Sequence, residues 1–312
     1  MDPVVLVTGA NGFVGRHIVD RLARSGAWRI VATDMHDHLI ALHSDPFDSI
    51  TYVSGDLADT PFVESLRHLE RIDAVIHLAA NISKSTDITT YFSIMNSNIN
   101  ATFLLLEAAK EHGARFLFPS TALVYGNQPT PFAESMPPQP QDFYAMSKHM
   151  SEQLITFYHT KYRLRALIFR IGILYGPGQG ASMFIPSLVE CLLHNRPFNM
   201  TKGEQTRDFV YIDDFVDAVE AALARPQTTG TVNIGSGSAP SMREVALTAQ
   251  ELCEKTDLVA IGVLPYRDNE VLDYRLDSTL ARSILGWKPH TDLRTGLARI
   301  IEYEQQREQS AS

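Results

Sequence analysis

A tyrosine and a lysine four residues apart, Tyr144 and Lys148, have the side chains and the spacing for acid–base chemistry. Positions four apart lie on one face of an α-helix, so both side chains would project into the same site. A phenol has a pKa of about 10 in water, and a neighbouring ammonium group favours the phenolate. Tyr144 could then act as a general base near neutral pH, with Thr121 hydrogen-bonded to the same substrate oxygen. The alternative is an ordinary pair on a helix surface.

A second chemical signal is a glycine-rich turn near the start of the chain, formed by Gly9, Gly12 and Gly15. An apolar run of strand type precedes this turn, and an apolar pattern of helical spacing follows it. A strand, a glycine turn and a helix form the first half of a dinucleotide-binding unit, with the anion at the helix N-terminus. The spacing is G-x-x-G-x-x-G rather than G-x-G-x-x-G, so a glycine turn without a ligand is the alternative.

Asp34 ends the next predicted strand, over 29–33, nineteen residues after Gly15. A carboxylate at this place would accept hydrogen bonds from both hydroxyls of an adenosine ribose and would repel a 2′-phosphate. The sequence therefore predicts NAD rather than NADP as the cofactor. A solvated loop aspartate is the alternative.

The first half of the chain alternates between strand-like and helix-like segments. We predict strands over 50–54, 74–78 and 115–118 and helices over 61–69 and 91–112, the latter with an inward face of Met95, Ile99, Phe103, Leu106 and Ala109. This order predicts an α/β fold with a Rossmann-type doubly wound parallel sheet. Ligands of such sheets bind beyond the C-terminal strand ends, where we place Gly9, Asp34, Asp56, Ala80 and Thr121.

Composition limits the classes of function. The 312 residues are 45% hydrophobic and 20% charged, which is typical of a globular protein. The net charge of −9 argues against a nucleic-acid surface. The two cysteines lie far apart in the sequence, and we expect no metal site. The sequence has no apolar run of membrane-spanning length and no basic leader, so we expect a cytoplasmic protein.

The ordered motifs resemble the extended short-chain dehydrogenases/reductases, specifically the nucleotide-sugar epimerase/dehydratase family of UDP-galactose 4-epimerase type. They span nearly the whole chain and comprise Thr8–Gly15, Asp34, Asp56-Leu57, His77–Ala80, Asn98 with Asn100, Ser120–Gly126, Tyr144 with Lys148, Tyr175–Gly178, Arg207–Asp214, Asn233–Gly235 and Leu285–Pro289.

The resemblance implies site residues and partners. The catalytic residues would be Thr121, Tyr144 and Lys148. NAD would be bound by Gly9, Asn11, Gly12, Phe13, Val14, Gly15, Asp34, Asp56, Leu57, Leu78, Ala79, Ala80, Asn98, Ser120, Tyr144 and Lys148. The nucleotide-diphosphate sugar would be bound by Thr121, Arg207 and Arg267, since a guanidinium matches a phosphate in a two-pronged way. For each arginine a surface salt bridge is the alternative. Asp56 is a candidate to accept a hydrogen bond from the adenine amino group, and helix capping is its alternative.

The resemblance also implies a domain division and an assembly. Residues 1–172 plus about 209–236 would form the NAD-binding domain. Residues of about 173–208 and 237–312 would form a smaller C-terminal α/β substrate domain. The helices over 91–112 and 144–162 are the usual homodimer contacts of the family. Phe157 and Tyr158 lie on the second helix, where a place in the core is their alternative.

Two departures from the family pattern bear on function. Ile173 occupies the position of an asparagine that contacts the sugar diphosphate in many relatives, three residues after Arg170. Ala122 and Leu123 follow Thr121, where 4,6-dehydratases carry Asp-Glu, so elimination of water would lack its proton donor.

The expected function is therefore NAD-dependent epimerisation of a nucleotide-diphosphate sugar at C4 through a transient 4-keto intermediate. The alternative is an NAD(P)H-dependent 4-ketoreductase of a 4-keto-6-deoxy nucleotide sugar. A 4,6-dehydratase and a non-catalytic NAD-binding protein on the same fold are less favoured.

Overall fold

The computed structural model describes residues 2–40, 49–69, 71–83, 85–266 and 270–311. Its strands are β1 Val4–Thr8, β2 Arg29–Asp34, β3 Ile50–Ser54, β4 Ala74–His77, β5 Arg115–Thr121, β6 Ala166–Ile171, β7 Ile173–Tyr175, β8 Phe198–Met200, β9 Phe209–Tyr211, β10 Gly230–Ile234 and β11 Val259–Ile261. Its α-helices are α1 Phe13–Ser25, α2 Thr60–Arg67, α3 Ile88–Ile94, α4 Ala101–His112, α5 Phe143–Tyr162, α6 Phe184–Leu193, α7 Ile212–Leu223, α8 Met242–Leu252, α9 Thr279–Leu285 and α10 Leu293–Ala311. A π-helical segment covers Met95–Asn100, and a 3₁₀ turn covers Ala122–Tyr125.

A seven-stranded sheet in the order β10-β6-β5-β4-β1-β2-β3 is the centre of the fold. The pairs β1–β2, β1–β4, β2–β3 and β4–β5 are parallel. All residues of β1, β4 and β6 are buried, as expected for strands covered by helices on both faces. The predicted α/β fold with a Rossmann-type doubly wound sheet is confirmed.

The parallel register brings several strand ends to one edge of the sheet. Thr8, the last residue of β1, pairs with Thr33 of β2 on one side and with His77 of β4 on the other. Asp34, at the end of β2, pairs with Ser54 of β3. The glycine turn, Asp34 and the segment after β4 therefore emerge side by side.

The helix predicted over 91–112 is instead three segments, and its predicted inward face is partly wrong. Met95 and Phe103 are 40% and 44% exposed. The π-helical segment advances the chain differently from an α-helix, so the buried face shifts to Ile94, Asn98 and the apolar side of α4. The hydrogen bonds of Asn98 to Asn81 and Ser147 favour this arrangement over the predicted apolar face.

Two compact units divide the chain. Unit 1 comprises residues 1–126, 136–170 and 218–232, and unit 2 comprises residues 127–135, 171–217 and 233–312. Unit 2 contains the parallel pairs β7–β9 and β8–β11, and its helices α6, α8 and α10 contact one another. The ring of Tyr175 packs edge-on against Phe209 and Tyr211 within this unit.

Within the described residues, no helix combines the length and the apolar character needed to cross a membrane.

Candidate cofactor and catalytic site

The turn between β1 and α1 leaves no room for a side chain at Gly9 or Gly15. Gly9 has a positive φ of 67°, and a Cβ atom there would lie 2.6 Å from the backbone nitrogen of Ala79. A Cβ atom on Gly15 would lie 2.1 Å from the carbonyl oxygen of Gly9. Gly12 is the N-cap of α1 and provides no side-chain cap, and the first turn carries no acidic residue. The N-terminal turn of α1 therefore offers N–H groups to an anion, which fits the pyrophosphate of a dinucleotide.

We expect Gly15→Ala to disrupt this turn. Because the added methyl group overlaps backbone atoms of Gly9 and Ala10, the helix must move away from the strand, at a cost of about 1–3 kcal/mol. NAD affinity should fall by at least about tenfold, as measured by calorimetric titration of the purified protein. Gly180→Ala is the matched control, since no atom lies within 4 Å of its added Cβ. Equal NAD affinity in the two variants would contradict the assignment of this turn.

Asp34 lies beside the glycine turn and is held by backbone donors. Its Oδ2 accepts a hydrogen bond from the Asn11 backbone N–H at 3.0 Å, and its Oδ1 accepts one from the Met35 N–H at 2.8 Å. The His36 Nδ1 atom lies 2.8 Å from the same Oδ1. The Asn11 side chain in turn donates to the His38 carbonyl and accepts from the Ile40 N–H. Asn11 thus ties the glycine turn to the segment that follows β2.

The other predicted cofactor residues differ in their surroundings. Asp56 is exposed, and its Oδ1 accepts a hydrogen bond from the Ala58 N–H at 2.9 Å in the turn before α2. Asp59, not Asp56, is the N-cap of α2. Leu57 is buried in the hydrophobic core. Partly exposed side chains at the edge of the sheet are those of Phe13, Val14, Leu78, Ala79 and Ala80.

His77 connects β1, β4 and α4 in the interior. Its Nδ1 atom lies 2.8 Å from the Thr8 hydroxyl and its Nε2 atom lies 3.1 Å from the Thr102 hydroxyl. Burial, with a smaller effect of the Lys148 charge, lowers the pKa of His77 to about 3. The imidazole is therefore neutral at physiological pH and acts as a structural connector.

Asn98 holds the segment after β4 in place. Its Oδ1 accepts a hydrogen bond from the Asn81 N–H at 2.7 Å, and its Nδ2 donates to the Asn81 carbonyl at 3.0 Å and to the Ser147 hydroxyl at 2.9 Å. Asn81 and Ser147 were not among the predicted site residues. A signal for both was present, since Asn81 lies three residues after the predicted strand 74–78 and Ser147 precedes Lys148.

The helix α5 positions the predicted catalytic pair. Asp142 caps it by accepting a hydrogen bond from the Ala145 N–H at 2.7 Å, which places Tyr144 in the first turn. Lys148 is buried one turn later, where its Nζ donates to the Pro119 carbonyl at 2.8 Å and lies 4.4 Å from the centroid of the Phe118 ring.

Burial moves both pKa values of this pair towards the neutral forms. It lowers the pKa of Lys148 to about 7, against the opposing effect of the Glu152 charge. It raises the pKa of Tyr144, and the Asp142 charge acts in the same direction. Tyr144 is thus a phenol in the protein alone, and lowering its pKa requires positive charge close to its oxygen.

Thr121 stands at the end of β5. Its Oγ1 accepts a hydrogen bond from the Leu123 N–H at 3.2 Å and caps the 3₁₀ turn that follows. The hydroxyl hydrogen of Thr121 can then be donated to a substrate oxygen. Ala122 is buried and Leu123 is half-buried, so neither of the two residues after Thr121 supplies a carboxyl group.

Ser120, predicted to bind the cofactor, has a different partner. Its hydroxyl donates to Oε1 of Glu152 at 2.5 Å, and Glu152 forms an ion pair with Arg170. Glu152 is not among the predicted site residues, and Arg170 has no predicted function. A signal for Glu152 was its position four residues after Lys148, on the same face of a helix.

A cleft of about 410 Å³ adjoins Tyr144 within unit 1. Part of its lining comes from the hydroxyl-bearing residues Ser83, Ser85 and Thr86. The rings of Tyr91 and Phe143 stack at its side with centroids 4.2 Å apart. Hydroxyl groups beside aromatic faces suit a small polar ligand with apolar patches.

Of the two predicted substrate arginines, the structure describes Arg207. Arg207, in unit 2, forms an ion pair with Glu270 and donates to the carbonyl oxygens of Thr206 and Val271 at 2.7 Å each. Arg267 lies outside the described residues. A role of either arginine in binding a diphosphate stays a prediction.

The chain matches the model of the NAD dependent epimerase/dehydratase family over residues 5–235. It is 31% identical over 307 residues to a UDP-glucose 4-epimerase of Mycolicibacterium smegmatis, and the alignment covers 96% of this chain and 97% of that protein. It is 30% identical over 312 residues to a dTDP-D-glucose 4,6-dehydratase of Mus musculus, with 96% and 88% covered.

A solved structure of a nucleotide-sugar epimerase is also similar to this chain. The UDP-glucuronic acid 4-epimerase of Bacillus cereus, in complex with UDP-4-deoxy-4-fluoro-glucuronic acid and NAD, superposes with a TM-score of 0.87. The two chains are 27% identical, and the match covers 97% of this chain and 99% of the other. Since the similar proteins include both epimerases and a dehydratase, overall similarity does not separate these activities.

Proposed function

The chain belongs to the NAD dependent epimerase/dehydratase family, and on that premise we propose that it is an NAD-dependent nucleotide-sugar epimerase acting at C4. The family predicted from the motifs is confirmed, and with it NAD as the cofactor. The assignment of C4 epimerisation within the family is our proposal.

The two residues after Thr121 favour epimerase over dehydratase activity. A dehydratase needs a carboxylic acid near the catalytic strand end to protonate the leaving hydroxyl. Ala122 and Leu123 stand there instead, whereas Thr121, Tyr144 and Lys148 are the set that alcohol oxidation and ketone reduction require. An epimerase needs no further acid, because the same hydride is removed and returned.

The mechanism follows from these side chains. Tyr144 takes the proton of the 4-hydroxyl group, while Thr121 donates a hydrogen bond to the same oxygen. The ammonium group of Lys148 favours the phenolate of Tyr144. NAD, when bound, supplies the acceptor and donor of the hydride at C4. The cleft beside Tyr144 provides the space in which a 4-keto sugar turns over before Tyr144 returns the proton.

We assign the two ligands to different units. In unit 1 the glycine turn would bind the pyrophosphate of NAD, and Asp34 would bind the adenosine ribose. In unit 2, Arg207 and Arg267 would bind the diphosphate of the sugar nucleotide. For Arg207 this requires that the phosphate replace Glu270 as its partner.

A homodimer is part of the proposal. Phe103 on α4 is 44% exposed, and Phe157 and Tyr162 on α5 are 54% and 45% exposed. Large apolar side chains clustered on a surface mark association sites. Tyr158 is buried and belongs to the core. We expect light scattering to give the mass of two chains, and the mass of one chain at micromolar concentration would contradict this expectation.

A product assay tests the function. The purified protein is incubated with UDP-, dTDP-, GDP- and CDP-sugars, including uronic acid and N-acetyl forms, and products are separated by chromatography and identified by NMR. The expected result is a C4 epimer without net change in NADH absorbance. NADH consumption with a supplied 4-keto-6-deoxy sugar, and no epimer from any substrate, would assign the protein to the ketoreductases. A 4-keto-6-deoxy product would assign it to the dehydratases.

A further inference from the structure

Glu152 and Arg170 form a buried ion pair one helical turn beyond Lys148. Their side chains are 2% and 7% exposed. The Arg170 Nη2 atom donates to Oε2 of Glu152 at 2.7 Å, and Nε donates to Oε1 at 3.2 Å. This two-pronged geometry fixes the orientation of the carboxylate.

The pair connects α5 to two neighbouring strands. Arg170 belongs to β6, and the Ser120 hydroxyl of β5 donates to Glu152. The preceding residue of β5, Pro119, accepts the hydrogen bond of Lys148. Two successive residues of β5 are thus bonded to two successive turns of α5, immediately before Thr121. These contacts set the position of Thr121 relative to α5.

The charges around Lys148 are unbalanced without Glu152. Lys148 and Arg170 are buried cations, and a buried charge that loses its partner is strongly destabilised. His149 lies with its Nδ1 atom 3.6 Å from Oε2 of Glu152, and His77 on β4 is neutral. Glu152 lies one turn after Lys148 on the same helix, and its negative charge favours the ammonium form of Lys148.

We propose that Glu152 is a positioning residue whose carboxylate, oriented by Arg170 and Ser120, favours the ammonium form of Lys148 and holds α5 against the end of β5. The consequence for catalysis rests on the proposed function, because it assumes that Tyr144 and Lys148 act on a substrate hydroxyl. The expected effect of Glu152 on the charge of Lys148 does not rest on the proposed function.

The pKa values agree with this geometry. Burial raises the pKa of Glu152, but the nearby His149 ring, the hydrogen bonds from Arg170 and Ser120 and the Arg170 charge lower it overall, so Glu152 is ionised at neutral pH. The Glu152 charge in turn raises the pKa of Lys148 against the larger effect of burial. Removing that charge should lower the pKa of Lys148 below its value of about 7.

The test measures the pKa of Lys148 directly. The full-length protein is labelled with ¹⁵N at the lysine Nζ atoms, and Lys148 is assigned from the signal missing in Lys148→Arg. We expect Glu152→Gln to lower the pKa of Lys148 by about one unit, because a compensating charge has been removed. Glu111→Gln is the matched control, since Glu111 is an exposed residue of α4 that forms an ion pair with Arg67. It should leave the pKa unchanged.

A second variant covers the case in which Glu152→Gln does not fold. Arg170→Gln removes the neighbouring cation and keeps the carboxylate, so the pKa of Lys148 should rise. General loosening of the core would shift the pKa of Lys148 in the same direction in both variants, and such a result would overturn the proposal. An unchanged Lys148 pKa in Glu152→Gln would also overturn it, whether or not the enzyme proves to be an epimerase.

The kinetic arm uses the substrate found in the product assay. In Glu152→Gln the alkaline limb of kcat should move to lower pH by about one unit, so that kcat falls by roughly tenfold on that limb and recovers at lower pH. A fall of equal size at every pH would show that Glu152 only maintains the fold, and would overturn the proposal.

Discussion

Replacing Tyr144 by phenylalanine lowers kcat for epimerisation by about 10²–10⁴-fold and leaves NAD bound. The substitution removes one oxygen atom, and with it the group that takes the proton from the substrate hydroxyl. Tyr144 lies in the first turn of α5, whose cap is made by the carboxylate of Asp142 and not by the phenol. The helix should therefore form unchanged, and the loss should appear in kcat rather than in stability.

The measurement compares kcat, NAD affinity and melting temperature of Tyr144→Phe with those of the wild type. Tyr303→Phe is the matched control, because Tyr303 lies on α10 in unit 2 and is partly exposed. The control should retain full activity. If Tyr144→Phe retained more than a tenth of the wild-type kcat, another group would have to be the base, and the mechanism would be wrong.

Replacing Lys148 by methionine abolishes activity and stabilises the protein. Without the ammonium group, nothing at this position of α5 favours the phenolate of Tyr144, so kcat should fall at least as far as in Tyr144→Phe. The gain in stability has a separate cause. Burial lowers the pKa of Lys148 from its ordinary 10.5 to about 7, so the protonated lysine of the wild type is a destabilising group.

The size of the gain follows from the shift in pKa. One unit corresponds to about 1.4 kcal/mol, which sets an upper limit of roughly 5 kcal/mol on the cost of the buried charge. Methionine loses the hydrogen bond to the Pro119 carbonyl, which is worth about 1.5–3 kcal/mol for a charged donor. Subtracting this loss from the upper limit, we expect the free energy of unfolding to rise by at most about 2–3.5 kcal/mol at pH 6.

The pH dependence has a definite sign. Between pH 7 and 10.5 the unfolded chain binds a proton at Lys148 that the folded protein does not, so wild-type stability rises with pH in this window. The advantage of Lys148→Met should be largest below pH 7 and shrink towards pH 10. Urea denaturation of the NAD-free proteins at pH 6, 8 and 10 measures it. Lys161→Met, at an exposed position of α5, is the control. A variant less stable than the wild type at pH 6 would contradict the expected cost of the charge.

Local signals account for the elements whose positions agree with the sequence-based expectation. The strand, glycine turn and helix from Val4 to Ser25 follow from apolar periodicity and from glycines that no other residue can replace sterically. The position of Asp34 at a strand end follows from the strand pattern. The four-residue spacing of Tyr144 and Lys148 places them on one face of α5.

Long-range contacts account for what was missed. The apolar spacing from Met95 to Phe103 indicated an α-helical face, but the hydrogen bonds of Asn98 to Asn81 and Ser147 stabilise a π-helical segment instead. No local pattern announces that change, because Asn81 and Ser147 are distant in sequence. The partner of Ser120 was missed for the same reason, since Glu152 and Arg170 lie on other elements.

The sequence by itself determined the family, the fold class and the cofactor, because these depend on hydrophobic period, glycine positions and short motifs. Only the tertiary structure decided which groups are buried together and in which state of protonation. Tyr144 and Lys148 have ordinary pKa values as isolated side chains, and burial in the fold shifts both towards their neutral forms. The carboxylate that compensates Lys148 becomes visible only when β5, β6 and α5 are packed against one another.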